Sequence, residues 1–544
     1  MYKSPGHVAG RRQPSLAHHR EGNPMSTPSI LRRFTAAVTA AVMLVSVAAC
    51  SGGSSGAVVS SVDQIKRVSV HDPSIVEHDG TYYVFGSHRA WAKSTDLVNW
   101  ETFSNNLSTD FKDILGDIWE AWPKQPANSD LTGNMWAPDV VWNETMGKWC
   151  MYMSVNGINY KSVIVLLTAD DIEGDWTYVG PVVYSGFRTK TAGTTDVPQV
   201  LGTDVIPSRY SSPADSEINA IDPCIKTDDN GDMWMTYGSW FGGMWMLKLD
   251  PATGLRDYGT TYESVKDASD QYYGVKLAGG YGNSGEGSYL IHTNGYWYLF
   301  ASYGALQQAG GYQMRMFRSK DITGPYVDQD GNTAVSTGSI ANNWTGDTGV
   351  RLMASVKWSG NDNTNIEVAQ GHNSALVDED GTAYVIYHTR FSNRGEEHEV
   401  RVHELLPTSD GWLVAAPYEY TGVKARTDGY ADSELAGDYE LVVHDPHTFF
   451  SGKENLADKD STDYIGVDEP VSITLKSDGT VTGDRTGTWK SEVGSYGMTI
   501  TLDGDDGETT YTGVFDKLPR DKDLRNVMTF SAIGGNVCIW GSKK

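Results

Sequence analysis

The stretch from Ser284 to Gly304, SGEGSYLIHTNGYWYLFASYG, holds two apolar and aromatic runs split by a polar Thr-Asn-Gly turn, with one carboxylate at its head. Such runs around an Asn-Gly pair predict an antiparallel hairpin. A Glu at the mouth of a buried strand costs free energy unless something there uses it.

This hairpin has four relatives. DPSIVEHDGTYYVFGS starts at Asp72, APDVVWNETMGKWCMYMS at Ala137, DPCIKTDDNGDMWMTYGS at Asp222 and HNSALVDEDGTAYVIYHT at His372. Each is an apolar strand, a Gly-bearing turn and a second strand ending in small or polar residues. A further echo, STDLVNWE from Ser94, TADDIEGDWTYVG from Thr168 and SKDITGPYV from Ser319, fits the return strand and outer turn of the same unit. Repeats of this kind, with no helical periodicity between them, predict an all-β fold: a five-bladed β-propeller over residues 66–420. A β-sandwich with coincidental hairpins does not account for the recurring outer motif. After a predicted linker at 421–437, alternating strands with SDGT-type turns predict a small C-terminal antiparallel β-barrel over 438–544.

The N-terminus reads as targeting. Arg32 and Arg33 precede an apolar run from Phe34 to Ala49 that ends in small residues before Cys50. Residues 1–49 are expected to be a leader and signal peptide, with Cys50 lipidated and 50–65 a flexible linker; ordinary secretion is the alternative. The chain carries a net charge of −26 although this leader is basic, which argues against nucleic acid and other polyanions as partners. A neutral substrate outside the cell suits that balance. Beyond Cys50 only Cys150, Cys224 and Cys538 remain, with no CxxC pair, so neither a disulfide framework nor a zinc site is expected.

The first strand of a propeller blade lines the central channel, so Asp72, Ala137, Asp222, Glu286 and His372 are predicted to converge there. Opposed carboxylates in a cleft suit glycoside hydrolysis: one protonated, one ionised, and a third able to raise its neighbour's pKa. His372 reads equally as a base, a metal ligand or a core histidine, and a hydrated cation such as Ca²⁺ would offset the mutual repulsion of the carboxylates. Trp119, Trp122, Trp136, Trp240 and Phe241 are candidates to stack on sugar faces. The Asp-rich turns Asp228–Gly231 and Asp378–Gly381 lack further ligands and read as hairpin tips.

The motifs HDPS (His71–Ser74), NAIDP (Asn219–Pro223), SGEGS (Ser284–Ser288) and QGHNS (Gln370–Ser374) resemble glycoside hydrolase family 43, nearest its endo-α-1,5-L-arabinanases. WAPDV at Trp136 and YGSWFGG at Tyr237 fit the same branch. In the tail, GDYELVVHD, GTWK and IWGSKK resemble the C-terminal barrel of the larger bacterial members. The resemblance implies an endo-acting, inverting hydrolase of arabinan, with Asp72 as general base, Glu286 as general acid and Asp222 tuning and orienting the acid. It implies one Ca²⁺ held by His372 and waters, sugar contacts at Trp136, Asn219, Ala220 and Ser239, and a monomer that meets a membrane only through Cys50. The alternatives are an exo-acting arabinanase, an arabinofuranosidase or a β-xylosidase of the same family, and a surface lipoprotein that binds glycans without cutting them. The insertion from Tyr184 to Glu217 either closes one end of the cleft or lines an open groove.

Overall fold

Asn294 and Gly295, both with left-handed backbone (φ 52° and 70°), turn the opening hairpin, and Thr293 pairs with Tyr296 across them. That is the two-residue connection whose twist suits antiparallel strands. The structure is a computed structural model that describes residues 62–122, 131–157, 160–211, 218–283, 285–338, 348–353, 355–359, 365–444, 467–504 and 507–544. The leader, Cys50, Ser284 and the end of the 184–217 insertion lie outside the described residues.

Four sheets stand apart in their hydrogen bonding. The first holds β1 (Ser74–His78), β2 (Thr81–Gly86), β3 (Ala90–Ser94) and β4 (Glu101–Thr102). The second holds β5 (Met135–Asn143), β6 (Lys148–Val155), β7 (Val163–Ala169) and β8 (Thr177–Tyr184). The third holds β9 (Cys224–Thr227), β10 (Met233–Tyr237), β11 (Met244–Leu249), β12 (Ser269–Asp270) and β13 (Gly274–Ala278). β14 (Glu286–Thr293), β15 (Tyr296–Tyr303), β16 (Gln313–Ser319) and β17 (Val350–Arg351) form a further meander. After the short β18 (Ser355–Val356), a last sheet holds β19 (Glu367–Val377), β20 (Ala383–Phe391), β21 (His398–Pro407) and β22 (Leu413–Ala415).

A propeller followed by a barrel was expected, and the fourth meander joins the two. β17 pairs in parallel with β31 (Val537–Lys543) at Arg351 and Val537, so β14–β17 run on into the C-terminal strands as one twelve-stranded sheet. The architecture is all-β: a propeller-like arrangement of sheets joined to a β-barrel. β1 packs beside β5 and β19, and a core of Val70, Ile75 and Val84 against Tyr384, Ile386 and Val402 binds the first sheet to the last. Asp139 ties three inner strands, accepting hydrogen bonds from the Ser74 hydroxyl next to it and from the Ile225 N–H at 2.6 Å.

The short β24 (Val467–Asp468) pairs in parallel with β18; the barrel comprises β23 (Gly437–Val443), β25 (Val471–Leu475), β26 (Thr480–Gly483), β27 (Gly487–Ser491), β28 (Gly497–Gly504), β29 (Gly507–Pro519), β30 (Asn526–Gly534) and β31, and closes where β31 pairs with both β30 and β23. Closure removes unpaired edges. Its interior is apolar, built around Tyr439, Ile500 and Phe530. The indole of Trp540 and the hydroxyl of Ser531 both donate to the Ala415 carbonyl, fixing the barrel to the last sheet. The 421–437 stretch is packed rather than free. Ala425 N–H donates to Glu404, Tyr430 donates to Asp516, and Leu435 sits in the barrel core.

Candidate active site

Five residues with left-handed backbone ring the axis: Asp72 (φ 54°), Ala137 (36°), Asp222 (57°), Gly287 (60°) and His372 (46°). They border a small cavity of about 20 Å³, room for about one water. Glu286 was expected in this ring and is not in it. The pairing slips between Glu286 and Tyr289, as it does between Trp136 and Asp139, so Glu286 shares the register of Trp136 and the axial place falls to Gly287. The reason is steric: a side chain at Gly287 would bring its Cβ within 3.1 Å of the His372 ring. The carboxylate therefore stands one residue off the axis.

Asp72 is a buried carboxylate surrounded by imidazoles. Its Oδ1 lies 2.7 Å from His71 Nδ1, 3.1 Å from His372 Nδ1 and 3.8 Å from His388 Nδ1, and Ser87 donates to Oδ2. Its own N–H donates to His388 Nδ1 at 3.3 Å. Burial raises its pKa, but His372, His71 and His388 outweigh that and hold it well below the usual carboxylate value. Arg390 donates to His71 Nε2 at 3.2 Å, which leaves the His71 proton on Nδ1, facing Asp72.

Asp222 lies on the far side of His372, with His372 Nε2 3.9 Å from Oδ1 and the Gly287 N–H donating to Oδ2 at 3.1 Å. Burial first, then the charges of Glu286 and Asp72, push it up to about 7 against the pull of His372. His372 itself is lowered by burial but raised further by Asp72, Asp222 and Glu286, for a net upward shift. The consequence of the Asp222 shift has a definite sign. Between pH 4 and 7 the folded chain keeps a proton that the unfolded chain has released, so this group makes the fold less stable as pH rises through that window. Asp222→Asn stays neutral throughout and is expected to flatten the fall in Tm over that range. Calorimetry showing the same slope in both proteins would remove the assignment.

Glu286 is half-buried and held at both oxygens. The Trp240 indole donates to Oε2 at 2.6 Å and the Tyr312 hydroxyl to Oε1 at 2.8 Å. Tyr312 also lies 3.5 Å from His372 Nδ1, so His372 and Tyr312 stand between Glu286 and Asp72. Burial raises the Glu286 pKa and outweighs His372, Tyr312 and Trp240, which lower it. The site thus pairs a carboxylate driven to stay ionised with two driven to hold a proton.

The remaining predicted residues divide. Trp136 is half-buried beside the ring, its indole donating to the Gly133 carbonyl. Asn219 is buried and accepts from the Ser162 hydroxyl at 2.6 Å, and Ser239 is buried at the start of the Trp240 loop. Ala220 is buried, its N–H donating to the Ser185 hydroxyl at 2.8 Å. Trp119 and Trp122 are core residues too, whereas Phe241 packs on Tyr160. Cys150, Cys224 and Cys538 are buried free thiols. In the turn from Asp228, the side chain of that residue caps the N–H groups of Asn230 and Asp232, as a hairpin tip requires. The sequence reading did not single out Ser87, Tyr312, His388 or Arg390; His71 was visible only as part of HDPS.

For a hydrated cation the axis offers one imidazole, His372, with carboxylate oxygens of Asp72 and Asp222 at 3.1 and 3.9 Å from its ring nitrogens. Asp72 Oδ1 is buried among the imidazoles of His71, His372 and His388. Among the described residues, however, the closest knot of ligand-type atoms is His71, Asp72 and His388, not His372.

Residues 64–197 and 189–413 match the sequence profile of Glycosyl hydrolases family 43. The chain belongs to this family. Residues 417–541 match the C-terminal lipocalin-like domain found with family 43 members. The family 43 chain is 36% identical over 489 residues to the extracellular endo-α-(1→5)-L-arabinanase 2 of Bacillus subtilis, covering 88% of this chain and 93% of that protein. It is 35% identical over 488 residues to the extracellular endo-α-(1→5)-L-arabinanase of Thermotoga petrophila, covering 87% and 93%. The solved endo-1,5-α-L-arabinanase of T. petrophila superposes with a TM-score of 0.74 at 30% identity, covering 88% of this chain and 99% of that one. A family 43 protein from Bacillus licheniformis superposes with a TM-score of 0.72 at 36% identity, covering 88% and 99%. As a family 43 member the chain is a glycosidase.

Proposed function

We propose that this protein is an extracellular endo-α-1,5-L-arabinanase that hydrolyses arabinan with inversion. One observation carries the reading: around a single imidazole, Asp72 is held ionised while Glu286 and Asp222 are shifted toward their protonated forms. Opposite shifts in neighbouring carboxyls are what acid–base division of labour requires. Asp72 takes a proton from a water whose oxygen bonds to the anomeric carbon. Glu286 gives its proton to the departing glycosidic oxygen, which keeps the electrons of the broken bond. Asp222 positions Glu286 by accepting from the neighbouring Gly287 N–H, and because the two carboxyls repel as anions, ionisation of one holds the proton on the other. Two relatives matched over 93% of their length are extracellular endo-arabinanases, which supports arabinan as the substrate and export as the destination.

The experiment is a digest of linear debranched arabinan with products sized over time. A ladder that shortens progressively is expected, with the β-anomer appearing first by proton NMR. A single small product from the outset would replace the reading by exo action, and no product from folded protein would replace it by glycan binding alone.

Five finer points belong to the same proposal. The meander β14–β17 counts as the fifth blade, supported by inner strands that neighbour one another around the axis from β1 through β5, β9, β14 and β19 back to β1. A calcium ion held by His372 and waters would supply positive charge against the three carboxylates. Chelation is then expected to lower Tm and added Ca²⁺ to restore it, an effect absent in His372→Ala. The boundaries 66–420 for the propeller and 438–544 for the barrel, a monomeric state, and a lipid anchor at Cys50 complete the reading.

A further inference from the structure

Beside Glu286 lies the loop from Ser239 to Gly243. Trp240 (φ 42°) and Phe241 (φ 32°) are consecutive side-chain-bearing residues in left-handed backbone, a conformation that bulky residues adopt only when their surroundings impose it. Here three backbone hydrogen bonds impose it. Trp240 N–H donates to Gly285 O at 2.7 Å, Gly243 N–H to Trp240 O at 2.7 Å, and Gly282 N–H to Phe241 O at 2.9 Å. The flanking Gly238 and Gly243 admit no side chain, since a Cβ at either would meet a carbonyl oxygen at 2.6 or 2.5 Å. One residue thus grips both the backbone just before Glu286 and, through its indole, the carboxyl itself.

We propose that Trp240 is a positioning residue that fixes which oxygen of Glu286 delivers the proton. The inference rests on the reading of Glu286 as general acid. An indole N–H can only donate, so Oε2, 2.6 Å away, must present a lone pair to it. The Tyr312 hydroxyl at Oε1 can rotate and either donate or accept. The acidic proton is therefore carried on Oε1. When the glycosidic bond breaks, its electron pair stays on the leaving oxygen, which takes the proton from Oε1 and leaves Glu286 as a carboxylate. The indole bond to Oε2 is then charge-assisted and stronger than before, so it favours the transition state over the ground state.

The test is leaving-group dependence. Trp240→Phe, Trp240→His and Glu286→Gln are assayed on a linear arabino-oligosaccharide and on its 2,4-dinitrophenyl glycoside, whose leaving group departs without a proton. For Trp240→Phe, kcat on the oligosaccharide is expected to fall about tenfold or more, with KM within about twofold, and to fall far less on the dinitrophenyl substrate. The ring N–H of Trp240→His restores part of the loss and carries the test if the Phe variant does not fold. Equal losses on both substrates mean a merely structural role and overturn the proposal, as does an undiminished rate on the oligosaccharide. If Glu286→Gln itself shows no leaving-group dependence, the acid reading fails; if it does and the Trp240 variants do not, only the inference about Trp240 fails.

Discussion

Asp72→Asn lowers kcat on linear arabino-oligosaccharides by about 10²–10⁴-fold, the range over which a positioned general base acts. The amide fills the same space and keeps a partner in the Ser87 hydroxyl, so the left-handed backbone and its bond to His388 are undisturbed. What disappears is the proton acceptor. Three imidazoles hold the native carboxyl well below its usual value, so it is ionised wherever the folded protein is assayed near neutrality. Steady-state kinetics with a matched thermal melt decides the matter. A folded Asp72→Asn protein hydrolysing at the wild-type rate would show that another group activates the water.

Glu286→Gln is expected to cost a similar factor, about 10²–10⁴-fold, on an arabinosyl leaving group. Glutamine still accepts from the Trp240 indole through its carbonyl, but has no proton to release. Because the acid acts on the leaving group alone, the loss should shrink as that group becomes a better anion, and a dinitrophenyl glycoside should recover most of the rate. A loss independent of the leaving group would place the damage in binding or folding instead. The two variants also separate the roles of the two carboxyls: the Asp72 defect persists on the activated substrate, where water must still be deprotonated, and the Glu286 defect does not.

Much of the fold can be read from local sequence. The Asn294–Gly295 pair demands its own turn, and its runs of aliphatic and aromatic residues can bury only as strands. The recurrence of that unit predicts sheets around an axis, because blade-sized hairpins cannot bury both faces alone. The merger of β14–β17 with the barrel was not legible, since it hangs on a single parallel pairing between Arg351 and Val537, far apart in the chain.

The hairpin repeat, the turn chemistry, the motifs of the family and the set of three carboxylates with one histidine are legible in the linear chain. Those follow from residue type and spacing within a few positions. The folded chain was needed to show that Gly287, not Glu286, takes the axial place, that Trp240 and Tyr312 hold the Glu286 carboxyl, and that Asp72 is pulled below the usual carboxylate value while Asp222 is pushed above it. The physical reason is that a pKa and a hydrogen bond depend on whatever surrounds a group. Around Asp72 those neighbours include His388, 316 residues along the chain. No window of local sequence contains them.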